Sequence, residues 1–262
     1  MPELDTVLLE LQGHVLRIGL HRPAKGNSFN RTLVNELALA YGFLEQEPAV
    51  RSAVLYGEGP NFTTGLDLAD LAAELGTGKR VLPDGGRDPF RLDGAWTKPV
   101  IAVAHGWTIT AGIELLLAAD IRIATTDTRF TQLEVRRGIL PFGGATIRFP
   151  RQCGWANAMR WMLTGEEFDA EEALRIGLVQ ELAADPQIAL QRATDIASAI
   201  ADKAAPLAVA ATLRSAQLAL TDGDDTAAAH LGPELAQLSV SADALEGVLA
   251  FAERREAQFQ GM

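Results

Sequence analysis

The stretch from Lys98 to Pro141 constrains the fold of this chain more than any other. It opens on an apolar run, Val100 to Ala104, that reads as a buried strand, turns at His105-Gly106, and continues into a helix expected to start near Ala111-Gly112. From Ile113 to Ala119 that helix is apolar except for one acid, Glu114, in its first turn. At 3.6 residues per turn Glu114 shares its face with Thr110, Ala111, Leu117 and Ala118, so its carboxylate runs along an uncharged side. A lone acid there needs a reason. A second acid, Glu134, follows the next strand-like run, Asp120 to Thr126, within Phe130-Thr131-Gln132-Leu133-Glu134. Two carboxylates close in sequence, one beside the free N–H groups of a helix start, suit proton transfer next to a developing oxyanion.

The 262 residues suffice for a substantial core, as one large domain or one and a half. With 48% hydrophobic and 22% charged residues the chain reads as soluble and globular. A net charge of −11 argues against nucleic acid as a partner, because a surface for the phosphate backbone needs clustered Lys and Arg. Cys153 is the single cysteine, so no internal disulfide forms. The acidic start leads into an alternating strand rather than a signal core, and no apolar run is long enough to span a bilayer. The expectation is a cytoplasmic protein without a membrane partner.

Around the central stretch the chain alternates strand, Gly-bearing loop and helix. Val7 to Glu10 and His14 to Leu20 flank Gln12-Gly13 as a hairpin. His21 to Ser28 is a basic turn-rich loop, after which Asn30 caps a helix carrying Leu33, Val34, Leu37, Tyr41 and Leu44. Ser52 to Tyr56 is a short buried strand, and the Gly57 to Gly65 loop leads to a helix from about Asp67 to Leu75. Two helix starts of this kind can aim backbone N–H groups at one anionic atom. The Gly76 to Gly94 stretch has no period and is long for a loop inside a compact domain. From Gly154 onward strands nearly stop and helices are expected at Gly154 to Leu163, Asp169 to Ile176, Pro186 to Lys203, Pro206 to Leu220 and Ala242 to Phe259. The change from α/β to all-α falls near Pro150.

Much chemistry is excluded. The four histidines have no metal-ligand spacing. Gly57-Glu58-Gly59 lacks the third glycine of a dinucleotide fingerprint, and Gly78-Lys79 is followed by Arg80 rather than Ser or Thr. No Gly-x-Ser-x-Gly elbow is present. Carboxylates and helix-start amides remain.

Over essentially its full length the chain resembles the crotonase superfamily, the enoyl-CoA hydratase/isomerase family. The resemblance is carried by His21-Arg22-Pro23 to Asn27, by Phe62-Thr63-Thr64-Gly65-Leu66-Asp67-Leu68, and by Lys98-Pro99 to Asp120. It continues through Phe130 to Pro141 with Gly143-Gly144, Leu163-Thr164-Gly165 to Val179, and the tail from Glu246-Gly247 to Phe259. It implies an α/β fold, a crotonase-type spiral of ββα units over residues 1–200, with a C-terminal helical trimerisation region over 201–262. It also implies an acyl-CoA substrate whose thioester oxygen is held by the amides of Leu66 and Ala111 while Glu114 and Glu134 act on water and the α-carbon. No tightly bound cofactor is implied, since coenzyme A is part of the substrate. That coenzyme A is expected along Lys25, Gly26, Ser28, Thr64, Asp67 and Leu68, with Phe251 and Arg254 added from a neighbouring subunit of a homotrimer or hexamer.

Residue types alone leave other roles open. Glu114 also suits the positive end of its helix, a role worth about 0.3–1 kcal/mol, and Glu134 has Arg129, Arg136 and Arg137 as surface partners in reach of sequence. Lys25, Arg22 and Arg254 are solvated charges by default, Phe251 and Phe259 read as helix core, and His105 as a structural hydrogen-bonder. The chain departs from the family pattern at Leu66, His105, Thr110, Ala111 and Leu133, which leaves the substrate open, and three rivals to a hydratase stay. They are a double-bond isomerase using Glu134 alone, a CoA-ester-binding protein with weak catalysis, and a thioesterase, dehalogenase or C–C bond hydrolase.

Overall fold

The computed structural model of the chain describes residues 1–75, 81–94 and 96–262, without the side chains of 72–75. Residues 76–80 of the expected long loop lie outside that description.

A six-stranded sheet forms the frame, with strands β1 (Val7–Gln12), β2 (Val15–Leu20), β3 (Ser52–Gly57), β4 (Val100–Ala104), β6 (Ile121–Thr125) and β9 (Glu181–Ala183) side by side in that order. Only the β1–β2 hairpin is antiparallel; every later pairing is parallel. β3 and β4 are buried along their whole lengths, as a parallel sheet covered on both faces demands. One face carries Val54, Tyr56, Ile101, Val103 and Ile123 against helix α7 (Pro186–Lys203). That helix meets it with Ala189, Ala193, Ala197 and Ala201, a stripe at i, i+4 spacing whose small side chains let the helix lie close. The opposite face, with Leu16, Ile18, Leu20, Leu55 and Ala102, packs on helices α1 (Arg31–Gln46) and α3 (Ala111–Ala118). Asn30 caps α1 by accepting the Leu33 N–H at 3.0 Å, as expected. Gly42 of α1 presses so closely on the loop at 81–94 that a Cβ there would meet the Gly85 carbonyl oxygen at 1.9 Å.

A second, three-stranded sheet was not expected. Strands β5 (Trp107–Ile109), β7 (Arg129–Thr131) and β8 (Glu167–Asp169) form it in the order β5-β7-β8. Each has three residues, too few to show a period in sequence. β5 therefore stands between the His105-Gly106 turn and α3, where a direct turn into the helix was read.

After α2 (Leu68–Leu75) and α3, the remaining helices are α4 (Ala145–Cys153), α5 (Trp155–Thr164), α6 (Ala170–Arg175), α7, α8 (Pro206–Asp222), α9 (Asp224–Ser239) and α10 (Ala242–Glu253). α4 runs through Pro150, the residue that marks the change of pattern in sequence. α9 holds Pro233 inside it, which hid it from a pattern reading. α10 stops at Glu253 rather than Phe259, because Arg254 takes φ +55° and closes the helix. The tail then folds back, and the Gln260 and Gly261 N–H groups donate to the Asp243 carboxylate at 2.7 and 2.9 Å.

Candidate active site

Helix α3 begins where the two sheets meet. Thr110 donates its N–H to the Thr131 carbonyl of β7 at 2.9 Å and sits at φ +48°, ψ −104°, a conformation strained for a β-branched residue. Its carbonyl accepts the Glu114 N–H at 3.1 Å, the first bond of the helix ladder. Helix geometry thus leaves the Ala111 N–H without an intrahelical acceptor. Leu66 arrives from the other side. It forms a parallel bridge with Phe29 in which the Phe29 N–H donates to the Gly65 carbonyl and the Phe29 carbonyl accepts the Asp67 N–H. In that pattern the residue opposite Phe29 turns its own N–H away from the pair. Leu66 and Ala111 both line one cavity of about 470 Å³, with Glu114, and its remaining walls are mostly apolar.

Both acids are buried, each only 3% exposed. Glu114 Oε1 accepts two backbone N–H groups at the start of α4, from Gly143 at 2.6 Å and Ala145 at 3.1 Å. Gly143 lies so close that a Cβ would come 2.4 Å from Glu114 Oε2, so only glycine leaves the carboxylate where it is. Glu134 opens a short 3₁₀ turn, Glu134–Arg137. It does not pair with Arg129, Arg136 or Arg137. Arg129 bridges Glu167 instead, and Arg136 donates to the Thr164 carbonyl at 2.5 Å. Glu134 Oε1 accepts the Gln132 side-chain N–H at 2.9 Å, while its buried Oε2 has no hydrogen-bond partner among the described residues. Burial, reinforced by the negative charge of Glu114, pushes the Glu134 carboxyl up to about 7. That coupling brings the two glutamates, twenty residues apart in sequence, into one electrostatic unit. The Gly143 and Ala145 amides and Gln132 escaped the reading of residues; the only signals were the Gly143-Gly144 pair and a glutamine two places before Glu134.

The basic loop and the Thr63–Leu68 segment meet. The Thr64 N–H donates to the Gly26 carbonyl at 2.9 Å, placing Lys25, Gly26 and Thr64 together. Arg22 joins Ser28 to Asp67, donating to the Ser28 carbonyl oxygen and standing 3.5 Å from Asp67 Oδ2. Lys25 and Leu68 are exposed beside them. Phe251 and Arg254 are not part of this cluster within one chain: α10 packs on α9 and on its own tail, and Phe251 is 87% exposed rather than core. Phe259 lies outside the helix, against Gly247. His105 is structural in its contacts, its Nε2 2.9 Å from the Gly59 carbonyl oxygen. Among the described residues no three His, Cys, Asp or Glu side chains gather as a metal site requires.

An α/β core with helix-start amides and Glu114 on one cavity, and with Glu134 buried and coupled to Glu114 though not itself among the lining residues, fits a crotonase-fold enzyme, and comparison with known proteins agrees. Residues 10–262 match the family model for enoyl-CoA hydratase/isomerase. Enoyl-CoA hydratase EchA19 of Mycobacterium tuberculosis is 33% identical, over 97% of this chain and 96% of that protein. The (E)-benzylidenesuccinyl-CoA hydratase of Thauera aromatica is 35% identical, over 97% and 99%. A crystal structure of a "probable enoyl-CoA hydratase/isomerase" from Mycobacterium abscessus superposes with a TM-score of 0.96 at 52% identity, covering 99% of this chain and 100% of that one. The chain belongs to the enoyl-CoA hydratase/isomerase family.

Proposed function

We propose that this enzyme adds water to an α,β-unsaturated acyl-CoA, or removes it in reverse, with Glu114 and Glu134 sharing the acid and base roles. The observation that carries this is the pair of buried carboxyls with unlike partners. Glu114 Oε1 accepts two N–H bonds, as a carboxylate does. The Glu134 carboxyl, up at about 7, can hold a proton at neutral pH. In the forward step the water oxygen bonds to the β-carbon as Glu114 takes its proton. The carbon–carbon π electrons move toward the thioester, whose oxygen gains enolate charge beside the Leu66 and Ala111 amides. Glu134 then gives its proton to the α-carbon, and the acids recover their starting states by proton exchange. Amides fixed at helix starts stabilise charge that appears only in the transition state, and one such donor is worth roughly 10²–10³ in rate.

Coenzyme A would lie along Lys25, Gly26, Ser28, Thr64, Asp67 and Leu68, with Phe251 and Arg254 supplied by a neighbouring subunit of a trimer or hexamer. The exposure of Phe251 is consistent with that. The test is incubation with α,β-unsaturated acyl-CoAs in heavy-oxygen water, followed by product mass. One labelled oxygen in an intact acyl-CoA is the expected result; a moved double bond without label would make the enzyme an isomerase using Glu134 alone.

A further inference from the structure

The cavity that starts at Leu66, Ala111 and Glu114 is far larger than a small acyl group needs. Its volume is about 470 Å³, whereas a dry cavity of roughly 150 Å³ already holds a benzene ring. At about 30 Å³ per heavy atom, the share of one water in the liquid, a four-carbon acyl group fills only roughly 120 Å³. The remainder would then be empty or hold water against walls that offer it little. Phe29, Leu71 and Phe90, none more than 7% exposed, make the buried wall, and Leu140 and Phe142 form an exposed apolar lip.

The polar groups on the wall are engaged. Asp88 accepts the Phe90 N–H on Oδ1 at 3.0 Å and the Leu92 and Asp93 N–H groups on Oδ2 at 2.8 and 3.2 Å, so it braces the turn at 88–93. Glu114 belongs to the reacting end. Arg31 lines the cavity from the first turn of α1; its backbone N–H is bound to Asp70 Oδ2 at 2.8 Å, and the residue has a further partner within the chain.

We propose that the enzyme is selective for an uncharged hydrocarbon acyl group of about eight carbons or more, straight or ring-bearing, over a four-carbon one; at the same volume per atom the cavity holds roughly sixteen carbons. This rests on the acyl-CoA reading above. The acyl group would run from the thioester at Leu66 and Ala111 past Glu114 toward Phe90, whose ring lies beside Gly143 and 6.2 Å from that of Phe29.

The experiment is calorimetric binding of saturated acyl-CoAs, which cannot be hydrated and so report the pocket without the chemistry. Each buried methylene is worth roughly fourfold in affinity, so octanoyl- and 3-phenylpropanoyl-CoA are expected to bind at least about tenfold tighter than butanoyl-CoA. Leu71→Phe and Val34→Phe, which fill the cavity from two helices, are expected to cut the octanoyl-to-butanoyl ratio about tenfold. Equal affinities across the series, a ratio unmoved by both substitutions, or tighter binding of an acyl-CoA ending in a carboxylate would each overturn the proposal. Turnover of 2-octenoyl-CoA in a parallel assay decides the hydratase reading separately: binding selectivity without hydration sinks that reading alone.

Discussion

The two glutamates are equally buried and differently kept. Glu114 stands on a helix and is held by backbone: two amides of the α4 start fix Oε1, and Gly143 leaves no slack beside Oε2. Glu134 stands on a short turn and is held by one side chain, Gln132, with its other oxygen buried and unpartnered among the described residues. The same residue type thus receives two characters, an acceptor locked in place and a carboxyl for which ionisation is costly. What separates them is the supply of fixed donors, since burial is common to both.

The contrast can be broken most severely at the acids themselves. Glu114→Gln and Glu134→Gln are each expected to lower kcat for hydration about 10²–10⁴-fold, the range for general acid–base groups; wild-type rates in both would sink the mechanism. Next comes the clamp. Gly143→Ala would drive a methyl into the Glu114 carboxylate, and kcat is expected to fall about 10²-fold, as a displacement near 1 Å does, while the fold survives by circular dichroism.

The protonation of Glu134 gives a thermodynamic signature. Its folded value near 7 lies above the ordinary 4.5, so between those pH values the folded protein keeps a proton that the unfolded chain has lost. Stability therefore falls as pH rises from 4.5 to 7, by at most about 3 kcal/mol. Glu134→Gln removes that penalty: denaturant unfolding is expected to show it more stable than wild type at pH 8 by about 2 kcal/mol, and little different at pH 4.5. Gln132→Leu removes a donor to the ionised form and should move the alkaline limb of the hydration rate profile, where Glu134 loses the proton it donates, to higher pH. The smallest effect is at Thr110, whose φ of +48° suits glycine; Thr110→Gly is expected to gain about 1 kcal/mol on the same assay. A loss there would mean that the Thr110 side chain stabilises more than its backbone costs.

Much of this arrangement was legible in the residues. A lone acid in an otherwise apolar helix singled out Glu114, and strand, Gly-bearing loop and helix start singled out the stretches holding Leu66 and Ala111. Glu134 was readable as an acid at a family position, but not as a buried one, since nearby arginines offered it surface partners that the fold sends elsewhere. The Gly143 clamp was not legible because it joins residues 29 positions apart through backbone groups that every sequence possesses. The small sheet was missed because three-residue strands carry no pattern, and α9 because Pro233 reads as a break.

The contact between Gly42 and the Gly85 carbonyl bears on how such an enzyme changes its diet. A core helix and the loop that walls the cavity touch backbone to backbone, so neither side can yield by a rotamer change. Lengthening or shifting that loop would unseat α1 from the core. Divergence toward new acyl groups is therefore channelled into side chains on the cavity wall and at its exposed lip, Leu140 and Phe142, rather than into the length of the loop: the architecture leaves specificity free to drift while the frame around it stays inherited.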